Sequence, residues 1–188
     1  SYQHSLLTCT TNENYQQSVN NLNVSYYHQN VNKASTPLSL SFFQNFKQHT
    51  TKADILHFHY PWPFADLCYL LSQTNKPSIV TYHSDIIKQK YLKKMYLPLH
   101  HQFLKKVNVI SPSSENYVNT SNDLRAYKRK CHVIPLGIES DNTPVISIEV
   151  IKKYQSLLSK KFILFVGVLR YYKGLQYLVD AAQNIGCD

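Results

Sequence analysis

Two short histidine-bearing stretches carry the clearest chemical signal in the sequence. "DILHFHYPWP" (54–63) sets His57 and His59 two residues apart, and "SIVTYHSD" (78–85) ends on His83, Ser84 and Asp85. Imidazoles ionise near neutral pH. Such residues act as general acids and bases, as partners for hydroxyl-bearing substrates, or as metal ligands. Side chains alternate along a strand, which places Ile55, His57 and His59 on one face. His59 then falls at the carboxyl end, just before the rigid Pro61-Trp62-Pro63 turn. If the two strands lie parallel, His59 and His83 face one cleft. For any one of these histidines alone, a buried or hydrogen-bonded loop role is the simpler reading. Two at adjacent strand ends weigh a ligand site equally. The side-chain types of His57, His59, His83 and Asp85 permit a metal. The i, i+2 spacing, with no HExxH and no cysteine pair, supplies no zinc pattern, and no metal is expected.

A second stretch, "VGVLRYYKG" (166–174), joins an apolar run to a helix start at Lys173 and Gly174. Free N–H groups and the positive end of a helix dipole favour an anion, and Arg170 and Lys173 add fixed positive charge. Together they could cradle a diphosphate. A solvated basic loop accounts for the same residues. Neither GxxxxGK[ST] nor GxGxxG is present, so the common mononucleotide and dinucleotide fingerprints are missing.

The elements that must hold these residues alternate. Strands are expected at 3–9, 23–29, 54–60, 78–84, 108–113 and 132–137, with a polar Asn/Gln-rich loop between the first two. Helices are expected at 37–50, starting at Pro37, at 64–73, and from about 86 to 106 with an interruption at Pro98. A short helix follows, capped by Ser113 or Ser114, and a further one covers 148–161. Residues 139–147 look like a linker, and 162–168 begins a new α/β pattern. Strands alternating with helices indicate βαβ units and a parallel sheet, with ligands at the carboxyl ends of its strands.

The 188 residues suit one domain, or one domain plus a piece of another, and 43% are hydrophobic, which argues against disorder. No run approaches the roughly 20 apolar residues that span a bilayer, and no secretory signal is seen. Four scattered cysteines read as reduced thiols in a cytoplasmic protein. The formal net charge of +9 suggests an anionic partner, or merely aids solubility. The basic stretch 85–106 fits a helix packed on its own sheet with lysines in water. It also fits peripheral contact with an anionic membrane at its inner face. A nucleic-acid module would explain the charge, but no RRM, KH, helix-turn-helix or zinc signature appears, and no nucleic acid is expected.

Taken in order, "ADILHFHYPWPFADL", "IVTYHSDII", "VISPSSENY", "HVIPLGIE" and "FVGVLRYYKGLQYLVDAA" resemble the landmarks of family 4 glycosyltransferases, over most of residues 3–185. The closest flavour is that of mannosyltransferase-like enzymes building bacterial surface polysaccharide such as lipopolysaccharide. The resemblance implies a GT-B fold, in which two Rossmann-like domains face each other across a cleft. Residues 1–145 would be an acceptor-side domain lacking its first strand. Residues 146–160 would be linker and helix, and 161–188 the first strand and helix of a donor-side domain. The chain would then be a fragment, inactive by itself, or a non-catalytic remnant.

The resemblance also implies retaining transfer from a nucleotide-sugar donor to a saccharide or lipid-linked acceptor, with no cofactor. His83 matches the family histidine near the transferred sugar, and His59 and Asp85 fall on the acceptor side. Lys173 matches the family lysine at the donor diphosphate, with Gly167 preceding it. The family arginine follows that glycine directly; here Val168 stands there, and Arg170 is the nearest substitute.

Overall fold

A computed structural model describes residues 3–33, 36–86, 90–137, 146–157, 162–169 and 171–185. The chain divides into two compact units, Ser1–Gly137 and Ile138–Asp188.

The first unit opens with β1 (His4–Thr10), β2 (Tyr15–Val19) and β3 (Leu22–His28), in the order β1-β3-β2. β1 runs parallel to β3 and β2 antiparallel to it. The expected loop between β1 and β3 therefore contains a strand. Its turn is Asn20-Asn21, both at positive φ (48° and 65°), the backbone of a tight two-residue hairpin. "YQQSV" shows no apolar alternation because β2 is an edge strand exposed along its length. β4 (Val31–Lys33) and β5 (Thr36–Leu38) form a second small hairpin.

Pro37 thus lies in β5 and does not start a helix. α1 (Leu40–Lys52) begins after Ser39, whose hydroxyl accepts the Phe42 N–H at 3.1 Å. Then follow β6 (Leu56–Tyr60), α2 (Pro63–Ser72), β7 (Ser78–Tyr82), α3 (Lys90–Lys106), β8 (Val109–Pro112) and α4 (Glu115–Thr120). β6, β7 and β8 form an all-parallel sheet in that order, two successive βαβ units. Ser114 caps α4, accepting the Tyr117 N–H at 3.2 Å.

Two expectations change here. α3 runs through Pro98 without a break. The lost hydrogen bond is outweighed by burial of Phe103 and Leu104 on that helix. Residues 132–137 form no strand. His132 and Ile134 donate to Ile110 and Pro112, and Cys131 makes one parallel bridge to Ile110. β8 ends at Pro112 to cap α4, so the ladder has no further carbonyl to meet. A 3₁₀ segment, Arg125–Lys130, precedes this stretch. Its Lys130 ammonium donates to the carbonyls of Leu104, Lys105 and Val107, closing the end of α3.

The core lies on one face of the parallel sheet. Leu56, Phe58 and Tyr60 alternate inward from β6. They meet Val80, Tyr82 and Ile110 from the sheet, Cys68 and Tyr69 from α2, and Phe103 and Leu104 from α3. Phe58, Tyr69 and Phe103 pack with centroids 4.7–5.9 Å apart, mainly edge to face.

One buried acid sits within this packing. Asp66 on α2 is 2% exposed and accepts the Tyr96 hydroxyl of α3. Burial raises its pKa to about 7, partly offset by that bond. The native state therefore holds a proton that the unfolded chain has released, and stability falls as pH rises from about 4 to 7, then levels. Asp66→Asn removes the titrating group. Urea unfolding across pH 4–8 should show wild type losing a few kcal/mol relative to this variant through that window. A difference independent of pH would refute the buried proton.

The second unit contains α5 (Ile148–Leu157), a 3₁₀ turn at Tyr171–Lys173 and α6 (Leu175–Ala182). Residues 162–169 form no strand, contrary to the expectation for 162–168. A strand requires a neighbour for its backbone groups, and none is assigned among the described residues of this unit. Val166, Val168 and Leu169 are consequently exposed. Most of the expected linker, 139–147, and the end of the expected helix, 158–161, lie outside the described residues.

Candidate functional site

The alternation that buries Leu56, Phe58 and Tyr60 turns His57 and His59 to the opposite, exposed face. β7 repeats this, burying Ser78, Val80 and Tyr82 and turning Ile79 and Thr81 the other way. The register pairs His57 with Ile79 and His59 with Thr81. One residue past β7, the His83 N–H donates to the Tyr60 carbonyl at 3.3 Å, so the ladder carries His83 alongside the end of β6.

The three histidines form a row. His59 Nδ1 and His83 Nε2 share a hydrogen bond of 3.0 Å, and their rings stack at 5.3 Å with a 13° tilt. His57 stacks on His59 at 4.8 Å, and its Nε2 bonds the Thr81 hydroxyl at 2.7 Å. Partial burial lowers the pKa of His57, helped by His59 and His83. Burial, and then His83, does the same to His59. His57 and His59 are thus held toward the neutral form, suited to exchanging hydrogen bonds with hydroxyl groups.

Asp85 is engaged elsewhere. Its carboxylate accepts from the hydroxyls of Tyr82 (3.1 Å), Tyr117 (2.9 Å) and Ser121 (2.9 and 3.1 Å). Its own N–H donates to the Tyr117 oxygen at 2.6 Å. These bonds fasten the loop after β7 to α4 and the turn beyond it. Thr81, which anchors His57, was not singled out by the sequence. Its signal was its place two residues before His83, on the same strand face.

Lys173 closes the exposed 3₁₀ turn before α6. Gly174 caps that helix at φ 68°, a left-handed conformation that favours glycine. Gly167 lies in the bend of the preceding segment, and Arg170 lies outside the described residues. Among the described residues, no group of three or more histidine, cysteine or acidic side chains is arranged to hold a metal. No helix there is long and apolar enough to cross a membrane.

A feature that sequence reasoning missed is an open polar basin of about 690 Å³ in the first unit. Glu13, His28, Ser41 and Gln44 contribute to its lining. Asn14 builds part of its wall, its side-chain Oδ1 accepting from the His28 N–H and the Ser41 hydroxyl.

Residues 2–142 match Glycosyltransferase Family 4. The chain is 47% identical over 151 residues to D-rhamnosyltransferase WbpZ of Pseudomonas aeruginosa. It is 44% identical over 151 residues to O-antigen chain mannosyltransferase C of Escherichia coli. Each alignment covers 80% of this chain and 40% of the relative, so the chain spans about two fifths of the length of these curated relatives.

Proposed function

We propose, from the premise that this chain belongs to glycosyltransferase family 4, that it is part of an enzyme transferring a hexose or deoxyhexose during surface-polysaccharide synthesis. The donor is a nucleotide sugar, the acceptor a saccharide or lipid-linked saccharide, and the anomeric configuration is retained. The observation that carries this reading is the His59–His83 pair at the carboxyl ends of adjacent parallel strands, within the matched region.

The chemistry asks for groups of these kinds. Departure of a nucleoside diphosphate leaves an oxocarbenium-like sugar, and positive charge at the diphosphate stabilises that departure. Lys173, with the N-terminus of α6, is assigned to the diphosphate, and Gly167 and Arg170 to the same loop. His83 is assigned to a sugar or acceptor hydroxyl and His59 to the acceptor side. Asp85 shapes the acceptor side by holding the loop that carries His83. No metal is required in this scheme. Peripheral contact with an anionic membrane rests on the outer side of α3, where Lys94 and Met95 are exposed. The net charge does not call for nucleic acid, because several cations serve the fold. Lys130 caps α3, Lys106 lies 4.3 Å from the centroid of the Tyr69 ring, and Lys128 bonds Asn119.

The test is to express a full-length enzyme carrying this segment. It is incubated with GDP-, UDP- and ADP-sugars and lipid-linked saccharide acceptors, and product anomers are assigned by NMR. Transfer with retained configuration is expected. An inverted product would overturn the mechanism, and absence of transfer from every nucleotide sugar would overturn the reading.

A further inference from the structure

On the exposed face, two side-chain bonds across the β6–β7 pair follow one diagonal. His57 lies opposite Ile79 but bonds Thr81, and His59 lies opposite Thr81 but bonds His83. The contact between the two histidines therefore repeats the sheet's own two-residue step and does not depend on a loop. His57, stacked on His59 and tied to Thr81, holds the His59 ring from behind.

We infer that His59 is a positioning residue: its Nδ1 holds Nε2 of His83, leaving Nδ1 as the one nitrogen of His83 that meets a substrate hydroxyl. This rests on the reading of His83 as the substrate-facing histidine and changes the part played by His59, from touching the acceptor to orienting the group that does.

The bonding arithmetic supports it. A neutral imidazole carries one N–H and one lone pair. If His59 donates, the proton of His83 sits on Nδ1, which then presents a donor. If His83 donates through Nε2, its Nδ1 presents a lone pair able to accept a hydroxyl proton. In both cases a turn of the ring that would bring Nε2 outward costs the hydrogen bond and the stacking. One added proton takes the lone pair left on an outer nitrogen, so both outer nitrogens become donors while a single proton stays between the inner ones. A second would place two cations at 3.0 Å, opposed by their repulsion. Among the described residues, His57 from β6 and Thr81 from β7 face the pair; the carboxylate of Asp85, beyond β7, is turned to Tyr82, Tyr117 and Ser121.

The decisive measurement needs no activity. The 188-residue chain is labelled with ¹⁵N, and imidazole nitrogens are followed by long-range ¹H–¹⁵N correlation from pH 5 to 9. Wild type should show His83 in one neutral tautomer, with well-separated nitrogen shifts. His59→Phe keeps a stacking ring but no Nδ1, and His83 should then average between tautomers. His59→Asn puts an amide near the position of Nδ1 and should restore the single tautomer. His83 nitrogen shifts that are the same in wild type and His59→Phe would overturn the inference.

In a full-length enzyme, His59→Phe should lower kcat by about 10- to 100-fold and leave donor KM within about twofold. His59→Asn should recover most of that loss. If neither the wild type nor any variant transfers sugar, the functional reading fails while the spectra still decide the positioning role. Normal transfer by His59→Phe would reject the positioning role alone.

Discussion

Replacing His83 with alanine in a full-length enzyme carrying this segment is expected to lower kcat by about 10²- to 10⁴-fold, the range of a positioned acid–base group. Stability should barely move. His83 is exposed, so truncation opens no core cavity. What is lost is one hydrogen bond to His59, worth about 1 kcal/mol or less at an exposed position. That separation distinguishes the proposed role from a structural one, in which the urea midpoint and the activity would fall together. pH adds a second readout. The partner His59 resists protonation because it is partly buried and faces His83. Protonation of His59 should therefore contribute to a loss of activity only below the usual histidine range. Transfer at the wild-type rate by His83→Ala, with unfolding unchanged, would remove His83 from the mechanism.

Which parts of this site the sequence disclosed follows from what each inference needed. Alternation alone puts His57 and His59 on the face opposite Leu56, Phe58 and Tyr60, and the structure has that arrangement. The meeting of His59 with His83 needed a parallel pair in one register, and alternating strands and helices supplied the parallelism. The diagonal that selects His83, and not Thr81, as the partner of His59 depends on that register, which composition does not encode.

Asp85 shows the opposite case. Its partners Tyr117 and Ser121 stand 32 and 36 residues further on, so nothing local distinguished a loop anchor from a substrate ligand. Asp66 is similar: only the packing of α3 brings Tyr96 to it. β2 was missed because an edge strand need not alternate, although Asn20-Asn21 carried a turn signal. Residues 162–168 failed in the other direction. Their apolar run suits a buried strand, but a strand is a property of at least two segments.

That last point leads to the second large effect: the 188 residues alone are expected to give no detectable sugar transfer. The family-matched region ends at residue 142, and Lys173, assigned to the diphosphate, lies in the other unit. Among its described residues that unit offers two helices and a 3₁₀ turn, with no sheet to fix them. Val166, Val168, Leu169 and Tyr177 are 69–84% exposed there, whereas a Rossmann-like layer buries such residues. A lysine and a helix terminus on so little support hold a diphosphate weakly, since catalysis depends on fixing both reactants in place. The relatives that the chain matches are about two and a half times its aligned length, each alignment covering 40% of the relative.

The assay is direct. The purified chain is incubated with GDP-, UDP- and ADP-sugars and lipid-linked acceptors, beside a full-length enzyme carrying the same segment, and donor binding is measured by calorimetry. Product from the full-length enzyme and none from the chain is the expected result. The chain should also show little nucleotide-sugar binding and some self-association through its exposed apolar residues. Turnover by the 188 residues at a rate near that of the full-length enzyme would mean that Lys173 and the helix behind it are already held in working geometry, and the argument from missing support would be wrong.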